Sequence, residues 1–266
     1  MSVDWAEARS ANIARYSGFD FAFMRRSDRG DVAVVRRRLK DVWLHDGRAK
    51  RRLTFDGQNY TAAIAPSGIL LLSKPDGAGA FSIWRQMTDG RSEKLTNGPR
   101  DVEPAFSSDG QQWAYVDYAR MGIMVCSTES GRCRLLRREP VLPNMPTFSP
   151  DGRLVAYVTQ LNRARMTVIS VGDGFIRGSW DAYPSCAPVW SSDTTLWSLE
   201  SASGQYVWSE RDVNGSRTGN HFAGSSESLE QGEVRCSPKD VAPGSPWFKR
   251  IDVEDMDTSR VLLEVR

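Results

Sequence analysis

The chain has 266 residues, of which 40% are hydrophobic and 26% charged, a composition typical of a folded domain with a sizeable core. It carries 35 basic and 33 acidic residues, and this net charge of +2 argues against a nucleic-acid-binding protein. No run of 18 apolar residues occurs, so no membrane-spanning helix is predicted. The N-terminus lacks the basic start and apolar stretch of a signal peptide, which predicts a cytoplasmic location for the chain as given, or a periplasmic one if a leader has been removed.

The first 18 residues differ in pattern from the rest of the chain. Trp5, Ile13 and Tyr16 fall on one helical face, which predicts a short N-terminal helix in residues 1–18. Strand patterns begin at Phe19 and continue through residues 31–36 and 41–45, with turns between them.

A repeat of about 42 residues organises the remainder. The segment PAFSSDGQQWAYV starts at Pro104, PTFSPDGRLVAYV at Pro146 and PVWSSDTTLW at Pro188, and a weaker copy, AIAPSGILLLS, starts at Ala63. A second set of turns, of the hairpin type, ends at glycines with nearly the same spacing; these are Gly47, Gly90, Gly131, Gly174 and Gly215. The two independent registers indicate a true structural repeat.

Each repeat contains four strand patterns, and four antiparallel strands per 40–45 residues are typical of a propeller blade. The sequence therefore predicts an all-β, six-bladed β-propeller over residues 19–266. The expected blades are approximately 19–54, 55–96, 97–137, 138–180, 181–222 and 223–266. Trp113, Tyr115, Tyr157 and Trp197 recur at matching positions and are expected in the core between blades, whereas Trp208 is expected to be partly exposed.

The motif SPDGRLVAY from Ser149, and DVWLHDGRAKRRLT from Asp41, resemble the TolB-type, WD40-like (PD40) propeller repeat. The resemblance covers residues 19–266 and implies the propeller fold. Similar bacterial propellers serve as periplasmic protein-binding modules, as sensor domains of kinases and as gating domains of prolyl-oligopeptidase-like hydrolases. The chain departs from the pattern at Thr194, where the turn glycine is expected, and at Lys239–Asp240.

Signs of catalysis are weak. No G-x-S-x-G motif or phosphate-binding loop occurs, and His45 and His221 are interpreted as surface residues, so no catalytic residue is predicted. The recurrent S-x-D-G residues, such as Asp109 and Asp151, are interpreted as turn caps and not as metal ligands. No metal site or cofactor is predicted, although acids converging on a central channel leave Ca²⁺ as an alternative.

Four cysteines include a pair, Cys126 and Cys133, that flanks a hairpin turn. The pair is compatible with a disulfide in an oxidising compartment, but two unbridged thiols are the favoured interpretation. A basic stretch, Arg36–Arg52, and an acidic one, Asp252–Asp257, lie at opposite ends of the chain. Ring closure is expected to bring them together, which explains the basic stretch without nucleic acid.

In a propeller, the loops that precede the innermost strands converge around the channel. This topology predicts a binding rim at Tyr60, Asp101, Glu103, Asn144, Asp181, Tyr183 and Glu233. The favoured function is a monomeric, non-enzymatic module that binds a protein or peptide through this face. The alternatives are a propeller-class hydrolase or lyase that uses a channel-bound cation, and a sensor domain of a signalling protein.

Overall fold

The computed structural model describes residues 19–27, 30–45, 50–76, 80–160, 164–183, 186–202, 205–223 and 250–265. The predicted N-terminal helix, the segment with Lys239–Asp240 and the predicted rim residue Glu233 lie outside these ranges. Within them the chain is all-β and forms five four-stranded antiparallel sheets. The all-β prediction is confirmed, and the count of six blades stays a prediction.

Sheets 2 to 5 are meanders in which sequential strands pair in order, as the repeat predicts. Sheet 2 contains β4 (Thr61–Ile64), β5 (Leu70–Pro75), β6 (Phe81–Gln86) and β7 (Ser92–Lys94). Sheet 3 contains β8 (Asp101–Phe106), β9 (Gln112–Asp117), β10 (Gly122–Ser127) and β11 (Cys133–Arg138). Sheet 4 contains β12 (Pro143–Phe148), β13 (Leu154–Gln160), β14 (Ala164–Ser170) and β15 (Ile176–Asp181). Sheet 5 contains β16 (Val189–Trp190), β17 (Thr195–Ala202), β18 (Gln205–Asp212) and β19 (Arg217–Ala223).

Sheet 1 combines the two ends of the chain. It contains β1 (Phe19–Ser27), β2 (Gly30–His45), β3 (Lys50–Arg52) and the C-terminal strand β20 (Arg250–Val265). The two strands predicted within residues 31–45 are one continuous strand, β2, which pairs with β20 over almost its whole length. The register sets Arg38 opposite Asp257 and Lys40 opposite Asp255. The basic and acidic stretches are therefore neighbours, as expected, but as adjacent strands of one sheet and not as parts of two neighbouring blades.

The S-x-D-G turns are built by their own side chains. In sheet 3, Ser107 Oγ donates to Asp109 Oδ1 at 2.6 Å, and the N–H of Gln111 donates to the same carboxylate at 2.9 Å. Gly110 completes the turn with a φ of +69°, which a residue with a Cβ adopts only at a cost. The same contacts recur at Ser149 and Asp151, again with a 2.6 Å hydrogen bond. The structural interpretation of this motif is confirmed.

The hydrophobic core lies between successive sheets. Tyr157 is fully buried with valines of sheets 3 and 4, and Trp113 and Tyr115 pack with Leu71 and Ile83 of sheet 2. Since neither face of a single blade is polar enough to stand alone, this stacking supplies most of the hydrophobic stabilisation. The core prediction holds for these three aromatics. Trp208, expected to be partly exposed, is buried beside Leu199.

Cys126 and Cys133 form a disulfide across the hairpin of β10 and β11, where they are directly opposed in register. The favoured prediction of two unbridged thiols was therefore wrong. Cys126 is buried against Trp113, and Cys133 is exposed on the outermost strand. Cys186, beside β16, is also disulfide-bonded.

A candidate binding rim at one edge of the sheets

Antiparallel order brings several loops to one edge of the sheets. The loops that join the fourth strand of one sheet to the first strand of the next lie at the same edge as the loops between second and third strands. We call this the rim edge. The S-x-D-G turns and the glycine hairpins lie at the opposite edge. Tyr60 directly precedes β4, and Arg100 directly precedes β8, so both lie at the rim edge.

Aromatic rings and cations meet there in a group that we call the rim cluster: Lys40, Tyr60, Phe81, Arg100 and Tyr118. The rings of Tyr60 and Phe81 are 5.2 Å apart between centroids, and Nζ of Lys40 is 5.9 Å from the Tyr60 ring. The guanidinium carbon of Arg100 is 4.4 Å from the Tyr118 ring and 5.8 Å from the Phe81 ring. Cation–π attraction therefore positions both cations against the aromatic side chains.

Backbone hydrogen bonds hold the rim cluster on the sheets. The N–H of Tyr118 donates to the carbonyl of Arg100 at 3.1 Å, and the N–H of Phe81 donates to Pro99 at 3.3 Å. The N–H of Tyr60 donates to Ser73 in β5 at 2.9 Å. Because these loops are fastened to strands at both ends, the aromatic surface is largely preorganised.

Glu103 lies beside the rim cluster and connects three sheets. Its N–H donates to Thr61 Oγ1 of β4 at 2.9 Å, and its carboxylate accepts the N–H of Met145 of β12. The three residues are 42 positions apart at each step, so they occupy equivalent places in successive innermost strands. Burial raises the pKa of Glu103, and the Met145 hydrogen bond and the charge of Arg100 partly offset this shift.

Glu103 and Met145 both have left-handed backbones, with φ of +55° and +54°. Each lies at a register shift of its strand and precedes a proline. The irregularity bends the innermost strand, so that the N–H of Glu103 or Met145 donates a hydrogen bond to a side chain of the neighbouring sheet. A repeated backbone feature therefore links the sheets at the rim edge.

Asp101 and Asp117 are two buried carboxylates at directly opposed positions of β8 and β9. Asp117 forms an ion pair with Arg120 and accepts its N–H at 2.9 Å. Asp101 accepts the N–H of Gly98 at 3.0 Å, and a Cβ at position 98 would lie only 2.3 Å from Asp101 Oδ1, which explains the glycine. Burial raises the pKa of Asp101, and the charge of Asp117 adds to the effect.

Of the predicted rim residues, Tyr60 and Glu103 lie near Arg100 and Tyr118. Asp101 follows Arg100 in the chain, but its carboxylate is bonded to the N–H of Gly98 and lies near Asp117. Asn144 lies in β12 opposite Val158, and its amide donates to Leu142 at 3.5 Å.

Asp181 and Tyr183 lie at the connection from β15 to β16, which is also at the rim edge, but they are not part of the rim cluster. Asp181 ends β15, the outermost strand of sheet 4, where it faces Arg165 at 3.4 Å. Tyr183 donates its N–H to Leu199 at 2.6 Å and packs on the core of sheet 5. Glu233 lies outside the described residues.

Sequence reasoning missed Lys40, Phe81, Arg100 and Tyr118. Phe81 and Tyr118 flank the loops between second and third strands, which reach the same edge as the loops chosen for the prediction. The repeat alone predicts that successive loops alternate between the two edges of a sheet, so these two residues could have been found from the sequence. The position of Arg100 near two rings had no sequence signal, because it depends on the side-chain directions of separate segments.

A second concave feature lies on sheet 5. A cleft of about 230 Å³ is lined by Glu200, Val207, Ser209, Arg217, Gly219, Asn220 and His221. Buried Glu200 pairs with Arg211 at 2.6 Å and with Arg217 at 2.7 Å. Although burial opposes it, the two guanidinium groups lower the pKa of Glu200. The arrangement is a satisfied ion-pair network that braces β17 against β18 and β19.

Among the residues that the structure describes, no group of three or more His, Cys, Asp or Glu side chains is placed to hold a metal ion. A helix long and apolar enough to cross a membrane is likewise not found in the described part of the chain.

The sequence and the structure were compared with those of known proteins. No family model matches the sequence, and no curated protein is significantly similar to it. A putative TolB structure from Agrobacterium tumefaciens matches with a TM-score of 0.57 and 16% identity, over 77% of this chain and 80% of that one. The fold is that of a TolB-type β-propeller.

Two further structures agree with this assignment. TolB from Acinetobacter baumannii matches the propeller with a TM-score of 0.53 and 14% identity, over 70% of this chain and 47% of that one, so this chain spans about half of that protein. A chain of a nidogen–laminin complex matches with a TM-score of 0.52 and 10% identity, over 68% and 76% of the two chains. The TolB-type resemblance is therefore shown at the level of fold, and the PD40 sequence family stays a prediction.

Proposed function

We propose that the chain is a non-enzymatic, monomeric binding module that holds a protein or peptide at the rim edge. The observation that carries the proposal is the rim cluster, in which exposed Tyr60 and Arg100 lie beside half-buried Lys40, Phe81 and Tyr118. Tyrosine, phenylalanine and arginine are the residues that most often anchor protein interfaces.

Exposure of the aromatic rings supports the proposal. Tyr60 is 37% exposed, and Phe55, in the loop before β4, is 74% exposed with the guanidinium of Arg52 4.7 Å from its ring. Contiguous exposed apolar surface, unlike single exposed residues, marks interaction sites. One of the similar solved structures is itself a chain of a protein–protein complex, that of nidogen and laminin.

A competing surface exists at the other end of the sheets. Leu135, Phe175 and Ile176 are exposed on the outermost strands β11 and β15 or beside them. This patch contains no aromatic–cation pair among the described residues, and Phe175 follows a hairpin glycine at the opposite edge. An experiment that compares Tyr60 with Phe175 therefore separates the two faces.

The test is site-specific photocrosslinking in cells that produce the protein. A photoreactive phenylalanine analogue replaces Tyr60 in one variant and Phe175, which is 68% exposed, in the other. We expect a discrete crosslinked protein from position 60 and none from position 175. Crosslinks from position 175 alone, or none from position 60, would contradict binding at the rim edge.

We also infer that the protein works in an oxidising compartment, which corresponds to the periplasmic alternative. The Cys126–Cys133 disulfide supports this, because such bonds persist outside the reducing cytosol. Trapping thiols by alkylation during lysis, followed by mass spectrometry, tests it. Oxidised Cys126 and Cys133 are expected, and complete alkylation of both would refute the inference.

A further inference from the structure

Arg100 is the residue of the rim cluster whose charge is available to a partner. Two rings lie near its guanidinium carbon, Tyr118 at 4.4 Å and Phe81 at 5.8 Å, and the side chain is exposed to solvent. Within the described part of the chain its guanidinium makes no hydrogen bond or ion pair. Its N–H groups lie in the guanidinium plane, so stacking on the faces leaves them available.

The acids in this region bond to groups other than Arg100, and Oδ1 of Asp101 has no hydrogen-bond partner among the described residues. The Glu103 carboxylate accepts the N–H of Met145, and Asp117 is paired with Arg120. Asp101 is buried and bound to the N–H of Gly98. Glu103 is close enough for the charge of Arg100 to offset part of the rise that burial causes in its pKa, but no hydrogen bond or ion pair joins the two groups in the described structure. The planar donors of Arg100 therefore have no carboxylate bound to them, although a carboxylate fits their geometry best.

We propose that Arg100 binds the carboxylate of an Asp or Glu side chain in a peptide segment of the partner protein. This inference rests on the proposed binding function and adds the chemistry of the partner. Arg100 supplies a two-pronged donor for the acidic side chain, and the adjacent Tyr60–Phe81 surface packs against an apolar neighbour in the same segment. Lys40, 5.9 Å from the Tyr60 ring, adds positive potential on the far side of that surface.

The test is a selection of random peptides displayed with their C-termini fused to a coat protein, so that only side-chain carboxylates are offered. The target is the full chain, and the counter-targets are Arg100→Gln and Tyr60→Ala. Arg91→Gln is the matched control, because Arg91 is an exposed arginine at a hairpin of the opposite edge. Selected peptides are then synthesised with amidated C-termini, and their affinities are measured.

We expect binders enriched in Asp and Glu that bind Arg100→Gln about tenfold or more weakly and bind Arg91→Gln unchanged. Their affinity should also fall as salt is raised. Binders that require Tyr60 but contain no excess of acidic residues, or that ignore Arg100→Gln, would overturn the carboxylate inference and leave the proposed function intact. If no binder depends on Tyr60, both the proposed binding function and the carboxylate inference are wrong.

Discussion

The left-handed backbone at Glu103 predicts an inverted order of stability for two common substitutions. In an ordinary strand, Gly is less stable than Ala by about 0.5–1 kcal/mol. At a φ of +55°, a side chain with a Cβ is strained by about 1–2 kcal/mol, and Gly is not. Glu103→Gly should therefore be about 1 kcal/mol more stable than Glu103→Ala.

Both variants also lose the hydrogen bond from the N–H of Met145 to the Glu103 carboxylate. A hydrogen bond to a charged group contributes about 1.5–3 kcal/mol, so Glu103→Ala should fall below the wild type by roughly that amount. Glu103→Gln keeps an acceptor and loses only the charge, and we expect it within about 1 kcal/mol of the wild type.

Met145 provides the matched control, since it has the same backbone conformation and no side-chain hydrogen bond in the described structure. Met145→Gly should likewise exceed Met145→Ala by about 1 kcal/mol. Urea unfolding followed by circular dichroism measures all of these free energies. If Ala is as stable as Gly or more stable at both positions, the reasoning from backbone strain is refuted.

Three further predictions concern buried charge and the disulfide. Because burial raises the folded-state pKa of Asp101, this carboxyl stabilises the fold below its ordinary pKa of 3.8 and loses that contribution as pH rises through the folded pKa. Asp101→Asn should therefore gain stability relative to the wild type as pH rises from about 4, measured by unfolding across pH, and a constant difference would contradict this. Glu200 has a lowered pKa, so its contribution is present above 4.5 and is lost as pH falls. Glu200→Gln should cost about 3 kcal/mol at neutral pH, and little difference from the wild type there would argue against the ion-pair network. Replacing Cys126 and Cys133 together by Ser should lower the unfolding free energy by about 2–3 kcal/mol, and reductant should destabilise the wild type at least as much, because it also breaks the disulfide of Cys186; a double variant as stable as the untreated wild type would rule out the Cys126–Cys133 bond.

Asp101→Asn is a mild change because the preceding repeat already has an amide at the equivalent place. Asn59, which lies 42 residues earlier, is buried and donates to Thr54 Oγ1 at 2.9 Å. The fold therefore accommodates either side chain beside the threonine at this place of the first two repeats, Thr54 and Thr96.

The repeat was readable from sequence because turn chemistry is local. A Ser, an Asp and a Gly within four residues satisfy the backbone of a tight turn by themselves, so their spacing marks the strands directly. The same local pattern predicted that Tyr157 is buried, because its position after the turn is equivalent to that of core residues in the other repeats. Four meander sheets and most of the buried aromatics followed from this period.

Features that depend on two distant strands were not readable. The continuity of β2 is imposed by β20, a strand more than 200 residues away in the chain. The disulfide joins neighbouring strands of one hairpin, and the sequence left it open because the register of β10 against β11 was not known; one residue of slip would separate Cys126 from Cys133. The rim was predicted only in part, since Arg100 acquires its place from two rings on other strands.

The most direct test of binding at the rim edge is hydrogen exchange, measured by mass spectrometry with and without the partner captured by photocrosslinking. The account predicts slower exchange on binding in residues 55–61, 97–101 and 117–121, and no change in residues 172–176 beside Phe175. Protection confined to residues 133–136 and 172–176, with the rim loops unchanged, would contradict it.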